Sequence, residues 1–325
     1  MVEFILFAIG LVILIKGADY LVDGASSIAE KLKVAPIVIG LTIVSFGTSA
    51  PELLVSLTSA FKGSTDIAFG NVVGSNIANI LLILGLTAII CPFSVQTNTI
   101  WKEIPMSFLG AILLVILGFS HIIDVPSLIS DPNSISGEIS RSNGLVLLSF
   151  FIIFIFYTFG IAKVSSESDV EIKQRSHLKN VFYVLGGLAA LAVGSNLAVE
   201  NAILMARAMS VSDALIGLTL VAIGTSLPEI ATNITAALKK NTDIAIGNIV
   251  GSNIFNIFLI LGLTSTVKSI PINEAQITDI LVLLASTILL FGSLFVWKKH
   301  KIGRIEGSFM LVSYFAYTAY LIIRG

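Results

Sequence analysis

The sequence is poor in charge, in cysteine and in histidine. Only 12% of its 325 residues are Asp, Glu, Lys or Arg, whereas 55% are hydrophobic, and a soluble domain has about a quarter charged residues. The single cysteine, Cys91, cannot form a disulfide within the chain or a cysteine metal cluster. The three histidines, His121, His177 and His300, fall in predicted loops or at predicted helix ends. These shortages exclude a soluble domain, a disulfide-rich fold and nitrogen or sulfur metal sites.

Motifs of other function classes are also missing. No basic patch with interleaved aromatic residues is found, which excludes nucleic-acid binding. No HExxH zinc motif, histidine base or hydrolase nucleophile elbow is found either, and this argues against an intramembrane enzyme. We therefore expect neither enzymatic activity nor a cofactor.

Long apolar segments dominate what is present. Segments able to cross a hydrocarbon core of roughly 30 Å recur along the chain, so residues 1–325 are expected to form a single transmembrane domain. The N-terminus runs directly into an apolar stretch without a signal-peptide pattern, so the first span should be retained. The pattern predicts an all-α membrane protein of ten transmembrane helices: 3–22, 36–62, 66–91, 103–120, 144–162, 180–205, 213–238, 243–267, 275–297 and 306–323.

An internal repeat appears when the chain is shifted by about 177 positions. IGLTIVSFGTSAPE (39–52) then falls on IGLTLVAIGTSLPE (216–229), and TDIAFGNVVGSNIANI (65–80) falls on TDIAIGNIVGSNIFNI (242–257). About 32 of the 49 positions from residue 39 to 87 are identical. The shared residues include polar and charged ones, so apolar composition alone does not explain the match.

The repeat predicts two halves with opposite orientations in the membrane. Each half has five predicted helices, an odd number, so the second half enters the membrane from the other side. The first inverted repeat is 1–162, a cytoplasmic linker is 163–179, and the second inverted repeat is 180–325. Such repeats are typical of secondary transporters, whose sites lie near the bilayer midplane where the repeats meet.

The distribution of Lys and Arg predicts the orientation. The loops after the odd-numbered spans hold about 13 of these residues and the opposite side about 5. We therefore expect a multi-pass protein of the cell membrane with both termini outside.

Two glutamates, Glu52 and Glu229, lie deep within the second and seventh predicted helices. A charged residue at the bilayer centre costs about 2.5–3.5 kcal/mol even on the lowest scales, so each requires a compensating interaction. Each follows G-T-S-x-P, and the prolines, with Gly47 and Gly224, predict discontinuous helices near the midplane.

A structural alternative is a capping box, with Ser49 and Ser226 as N-caps and the glutamates reaching back to them. A helix start at membrane depth would still need protein or a polar cavity around it.

The third and eighth predicted helices carry matching polar stripes. Asn71, Ser75 and Asn79 recur every four residues, and the second repeat has Asn248, Ser252 and Asn256 at the equivalent positions. Small residues flank each stripe (Gly70, Gly74 and Ala78; Gly247 and Gly251), and these predict close helix packing. Hydrogen bonding between helices is the structural alternative for the polar stripes.

Carboxylate, hydroxyl, amide and carbonyl oxygens are thus the available ligands. Such oxygen sets suit Ca²⁺ and, by the same logic, Na⁺. Two carboxylates balance one divalent ion, and protons or monovalent ions could balance them equally. Competition for one pair of carboxylates would therefore make exchange obligatory.

The doubled G-T-S-x-P-E and G-N-x-x-G-S-N-I motifs resemble the calcium/cation antiporter superfamily, most closely its prokaryotic sodium/calcium exchangers. The resemblance covers all ten predicted helices. It implies that spans two, three, seven and eight surround the ions, while spans one and six slide to alternate access. It further implies a transported-ion site for Ca²⁺ and Na⁺ made of Glu52, Glu229, Thr48, Thr225, Ser49, Ser226, Ser75, Ser252, Asn79, Asn256, Ser45 and Ala222. The lipid bilayer is the only other partner expected, since no obligatory protein partner is evident.

One departure affects the choice of coupling ion. The position of Asn256 is often aspartate in sodium/calcium exchangers, whereas here both repeats carry an amide. Exchange of Ca²⁺ for Na⁺ is the leading prediction, and a calcium antiporter coupled to protons or another cation is the nearest alternative. A cation channel would need a continuous pore, which two inverted repeats of broken helices argue against.

Overall fold

The computed structural model describes residues 2–118, 137–162, 176–209, 222–296 and 299–324, and most of them are helical. Four predicted segments fall partly elsewhere, two of them only at a helix end, namely residues 119–120 of the fourth predicted helix and residue 297 of the ninth. Residues 163–175 of the predicted linker and residues 213–221 of the seventh predicted helix lie outside the described residues. The end of the predicted linker, from His177 onwards, already belongs to the next helix.

The first half begins with α1 (Val2–Leu32), which extends ten residues beyond the predicted span. Two acidic residues of this helix, Asp19 and Asp23, form ion pairs with Lys239 of the second half. The other helices of this half are α2 (Pro36–Ile39), α3 (Ser45–Thr48), α4 (Ala50–Lys62), α5 (Thr65–Ile77), α6 (Gly85–Ile90), α7 (Thr97–Trp101), α8 (Glu103–Gly118) and α9 (Arg141–Ala162). Two π-helical segments, Gly40–Val44 and Ala78–Leu84, join α2 to α3 and α5 to α6.

The second half repeats this order. Its helices are α10 (His177–Ala208), α11 (Ala222–Thr225), α12 (Leu227–Leu238), α13 (Thr242–Ile254), α14 (Gly262–Val267), α15 (Glu274–Val296) and α16 (Arg304–Arg324). A π-helical segment, Phe255–Leu261, joins α13 to α14 at the position equivalent to Ala78–Leu84.

Eight helices within the described ranges are long and apolar enough to cross a membrane. The pair Pro36–Thr48 and Ala50–Lys62, bent by 46°, gives a ninth if it is one span. The chain is therefore a helical membrane protein, and the described residues also include four very short strands.

Two helical stretches form the centre of the molecule. The most apolar windows of Thr242–Val267 and Thr65–Ile90 are 94% and 72% buried, whereas those of the other candidate spans are only 22–39% buried. These stretches carry the two predicted polar stripes. Their polar side chains consequently face protein rather than lipid.

Glycines hold α1 and α10 against each other. A Cβ atom on Gly17 would lie 2.8 Å from the backbone nitrogen of Leu191, and one on Gly187 would lie 2.7 Å from that of Leu21. Real Cβ atoms do not approach backbone so closely, so only glycine permits this separation. The two longest helices therefore form one closely packed pair.

Two antiparallel strand pairs join the halves. β1 (Phe93–Ser94) pairs with β4 (Lys301–Ile302), and β2 (Gly137–Ile139) pairs with β3 (Ile270–Ile272). The strand after the third predicted span of one half thus pairs with the strand before the fifth span of the other. Neither pair was predicted, because segments of two or three residues carry no periodic pattern.

Candidate functional site

The two predicted glutamates lie in the first turns of α4 and α12 and are almost completely buried. Glu52 and Glu229 are each 1% exposed. Proline occupies the start of both helices, where its missing N–H costs no helical hydrogen bond. In each carboxylate, Oε2 has no hydrogen-bond partner among the described residues.

Both helices are interrupted just before these glutamates, as predicted. The interruptions are at Ser49 (φ −83°, ψ 6°) and Ser226 (φ −89°, ψ 4°). We expected proline and glycine together to cause the breaks. The glycine part was not confirmed, because Gly47 and Gly224 do not have positive φ. A Cβ on Gly47 would instead lie 2.3 Å from the Leu188 side chain, so this glycine leaves room for α10.

The capping-box alternative is wrong for both serines. Neither makes a side-chain capping hydrogen bond, and the backbone N–H of Ser49 donates to the Ser45 carbonyl at 2.9 Å. The Ser49 hydroxyl lies 3.2 Å from Oε1 of Glu229, to which it donates. Ser226 donates to Ser75 at 3.4 Å. Each serine at a helix break therefore contacts the opposite half.

Ser75 connects this network to the first glutamate. Its hydroxyl donates to Oε1 of Glu52 at 3.4 Å. The equivalent residue of the second half, Ser252, is fully buried, and its hydroxyl has no partner within the described ranges. The two halves therefore carry serine at equivalent positions, but of these two only Ser75 forms a hydrogen bond with a glutamate among the described residues.

The threonines before the breaks also contact the opposite half. Thr48 donates to Oδ1 of Asn248 at 3.0 Å, and Thr225 donates to Oδ1 of Asn71 at 3.5 Å. Thr48 is fully buried, whereas Thr225 is partly exposed. These bonds fix the break of each half against the central helix of the other.

Four asparagines form a second crossed set. Asn256 donates to Oδ1 of Asn76, and Asn79 donates to Oδ1 of Asn253, both at 3.0 Å. Oδ1 of Asn79 and Oδ1 of Asn256 remain without a partner among the described residues. Asn76 and Asn253 were not assigned to the site, although the repeated G-S-N-I motif contains them.

Asn79 and Asn256 also lie in π-helical segments, Ala78–Leu84 and Phe255–Leu261. Such wider turns are frequent at functional sites because they redirect side chains and free backbone groups.

Two other predicted positions are placed differently. Ser45 is buried, but its hydroxyl donates to the Gly40 carbonyl at 2.6 Å and lies 3.0 Å from the Asn248 carbonyl, so it packs α3 against α13. Ala222 is the first residue of α11, and its side chain lies outside the described part of the structure. The described hydrogen bonds of the two glutamate carboxylates are therefore with Ser49 and Ser75 and not with these two residues.

The glycine predictions divide in the same way. Gly247 and Gly251 are closely packed as predicted, with a Cβ on Gly251 lying 2.2 Å from the Ser45 hydroxyl. For Gly70 and Gly74, no described atom lies within 4 Å of such a Cβ. The residues that would correspond to α2 and the segment after it, 213–221, are outside the described ranges, so this prediction stays untested.

Five buried oxygens with no partner among the described residues belong to predicted site residues: Oε2 of Glu52, Oε2 of Glu229, Oδ1 of Asn79, Oδ1 of Asn256 and Oγ of Ser252. A buried polar atom left unsatisfied costs about 1–3 kcal/mol. All five can accept, so a hard cation suits them chemically. In the described ranges no three Asp, Glu, His or Cys side chains form a group that could hold a metal ion, and Glu52 and Glu229 are the acidic residues among these five.

Comparisons with known proteins identify the family of the chain. The family model described as "Sodium/calcium exchanger protein" matches residues 2–160 and 179–323. The protein CaxA of Alkalimonas amylolytica is 39% identical over 328 residues, covering 98% of each chain. A sodium/calcium exchanger of Methanosarcina acetivorans is 33% identical over 348 residues, again covering 98% of each chain.

A solved structure, that of a sodium/calcium exchanger from Methanococcus jannaschii, superimposes with a TM-score of 0.82 at 33% identity. The match covers 98% of this chain and 97% of that one. Matches of this extent establish the family, which consists of membrane transporters and not of enzymes. The chain belongs to the sodium/calcium exchanger family.

Proposed function

We propose that this protein is a secondary antiporter that exchanges Ca²⁺ for Na⁺, with Glu52 and Glu229 as the charged ligands of the transported ions. One observation carries the proposal: two fully buried carboxylates, one from each half, each present an oxygen without a partner among the described residues. Buried carboxylates without a cation are costly, so a cation at this position compensates them. Two relatives described as sodium/calcium exchangers support the choice of Ca²⁺ and Na⁺ as the transported ions.

Charge balance explains why exchange would be coupled. One Ca²⁺ neutralises both carboxylates, and monovalent cations can neutralise them one at a time. The neutral oxygens of Ser252, Asn79 and Asn256 complete the coordination of either ion, because hard cations accept amide and hydroxyl oxygen. Since one carboxylate pair serves both ions, loading of one excludes the other.

The proposed topology is ten transmembrane helices in two inverted repeats. Two pairs of crossed hydrogen bonds support it: Thr48 to Asn248 matches Thr225 to Asn71, and Asn79 to Asn253 matches Asn256 to Asn76. Alternating access then follows from motion of one repeat element against the other around a central site. The excess of Lys and Arg in one set of loops supports a cell-membrane protein with both termini outside.

Proton coupling is the second candidate. It is favoured by the two amides, Asn79 and Asn256, which leave the site with two carboxylates and no third negative charge. Fewer charges can hold fewer Na⁺ ions, whereas two carboxylates can each take one proton. This alternative keeps the same site and changes only the coupling ion.

The deciding experiment is ion flux in tight liposomes containing the purified protein. Radioactive Ca²⁺ uptake is measured with an outward Na⁺ gradient, an outward H⁺ gradient, an outward K⁺ gradient or none, and liposomes with Glu52→Gln protein serve as the matched control. We expect uptake with the Na⁺ gradient and none in the control. Uptake driven only by H⁺ or K⁺ would reject Na⁺ coupling, and uptake without counterflow would indicate a channel.

A further inference from the structure

A lysine at the end of α12 ties that helix to α1. Nζ of Lys239 lies 2.8 Å from Oδ1 of Asp23 and 3.1 Å from Oδ1 of Asp19, and it also donates to the Asp19 carbonyl at 3.1 Å. These side chains are 30–37% exposed. We call Lys239, Asp19 and Asp23 the Lys239 latch.

The repeat contains an equivalent set, which the proposed inverted topology puts at the other end of the molecule. The shift of 177 positions that relates Asn76 to Asn253 also relates Lys239 to Lys62, Asp23 to Glu200 and Asp19 to Asn196. Lys62 ends α4, while Asn196 and Glu200 lie on α10. The ammonium group and one carboxylate are therefore kept, and the second carboxylate is replaced by an amide.

In this structure the residues of the second set are not paired with one another. Lys62, Asn196 and Glu200 are all exposed, and no ion pair joins these three described residues. The helices show the same difference, since α1 packs along α12 whereas α10 makes almost no contact with α4. The two halves therefore have different conformations. At the Lys239 end α1 packs against α12, which we call closed, whereas at the Lys62 end α10 and α4 are separated.

We propose that Lys62 and Glu200 are positioning residues of transport that pair when the molecule closes at the Lys62 end, while the Lys239 latch opens. This inference rests on the proposed alternating access, in which two inverted repeats exchange conformations. The chemistry supports it because movement of α10 onto α4 would bury Glu200 beside Lys62. A carboxylate losing water needs a cation, and Lys62 is the residue that the repeat places there.

The Lys239 latch and the proposed Lys62/Glu200 pair contain different numbers of carboxylates, so they should differ in strength. Lys239 contacts two carboxylates, whereas Lys62 would contact Glu200 and the neutral amide of Asn196. The conformation closed at the Lys239 end is consequently favoured in the absence of ions. Asn196→Asp would supply the missing carboxylate and shift the equilibrium towards closure at the Lys62 end by about two- to fivefold, the range for a partly exposed ion pair.

The first experiment is crosslinking in liposomes. Lys62→Cys/Glu200→Cys is made in a Cys91→Ser background and treated with a short, reducible thiol crosslinker, and Asp23→Cys/Lys239→Cys is the matched pair for the closure seen here. We expect both pairs to crosslink, each crosslink to stop transport, and reduction to restore it. Crosslinking of the Asp23/Lys239 pair without the Lys62/Glu200 pair would overturn the proposal.

Charge reversal separates pairing from mere proximity. Lys62→Glu and Glu200→Lys should each slow exchange by about two- to fivefold, and the double variant should recover most of the rate. Lys268→Glu is the control, because Nζ of Lys268 lies beside Gly63 but has no place in either latch. A double variant no faster than its slower parent, at equal protein content, contradicts the pairing.

The crosslink does not depend on which ion is transported. If the unmodified protein moves no Ca²⁺ but both pairs crosslink, the proposed function is wrong, whereas the proposed pairing of Lys62 with Glu200 is supported. If it exchanges Ca²⁺ for Na⁺ but the Lys62/Glu200 pair neither crosslinks nor recovers on charge reversal, the proposed pairing of Lys62 with Glu200 is wrong and the proposed function stands.

Discussion

The side-chain amide of Asn256 donates to Oδ1 of Asn76 at 3.0 Å, across the boundary between the two halves. This bond uses the nitrogen of Asn256 and leaves its Oδ1 without a partner among the described residues. The amide therefore holds the central helices together while its oxygen stays available to an ion. An aspartate at this position could not donate the same bond, which makes the residue a test of both roles.

Asn256→Asp should strengthen Ca²⁺ binding. A third negative charge beside two carboxylates increases attraction for a divalent ion, and Asn76 can rotate its amide because its nitrogen has only a 3.5 Å bond to the Asn253 carbonyl. We expect the Ca²⁺ dissociation constant to fall about tenfold, or about 1.4 kcal/mol. Equilibrium binding of radioactive Ca²⁺ to purified protein measures it.

The matched control is Asn180→Asp, which places a new buried charge on α10 outside the candidate site. Its Ca²⁺ affinity should be unchanged. An unchanged affinity in Asn256→Asp itself would show that this side chain does not face the ion.

Glu52→Gln and Glu229→Gln should each lower Ca²⁺ flux by at least about a hundredfold, equivalent to roughly 2.7 kcal/mol. Glutamine keeps the shape and the hydrogen bonds from Ser75 and Ser49 but removes the charge. Glu103→Gln is the control, since Glu103 is also buried, at 2% exposure, but contacts Tyr157 instead of the site. Flux near the unmodified level in either site variant would exclude the glutamate pair as the ion ligands.

Gly251→Ala should destabilise the protein by about 1–3 kcal/mol, the usual cost of overpacking. The added methyl would lie 2.2 Å from the Ser45 hydroxyl and 2.8 Å from the Leu41 carbonyl. Gly186→Ala, whose methyl would meet no described atom within 4 Å, is the comparison. Thermal unfolding in detergent should show a lower midpoint for the first variant only, and equal midpoints would mean that α3 and α13 separate readily.

Tyr157→Phe should cost more stability than Tyr317→Phe. Both hydroxyls donate to a buried acidic residue, Glu103 and Asp279 respectively, but Asp279 also has Arg324 at 3.0 Å. Glu103 would lose its donor and remain buried, which costs about 1.5–3 kcal/mol. Thermal unfolding of both variants measures the difference, and an equal loss would show that the arginine does not compensate Asp279.

Much of the fold could be predicted because apolar segments and a strong repeat specify it. The helix breaks before Glu52 and Glu229 followed from proline at fixed positions. The real length of α1 did not, because hydropathy ends the predicted span at residue 22, and the ion pairs of Asp19 and Asp23 are with the distant Lys239. Contacts between residues so far apart in sequence have no local pattern.

The candidate site was predicted as a set of residues and not as a set of contacts. The repeat identified Ser49, Ser226 and Asn256, but their partners lie in the other half, which the sequence of one half cannot reveal. Asn76 was missed for this reason, since spacing of four residues assigned Ser75 and Asn79 to the stripe and left Asn76 outside it. Geometry was needed to show that Asn76 accepts the Asn256 bond.

The crossed pairing of Asn76 with Asn256 and of Asn79 with Asn253 also bears on the origin of the chain. Because every such bond has its mirror image, two separate copies of one half could make both bonds as a dimer. In the proposed inverted topology, those two copies would insert into the membrane in opposite directions. A difference such as Asp19 against Asn196 requires two distinct halves, because two copies of one half would carry the same residue at both positions.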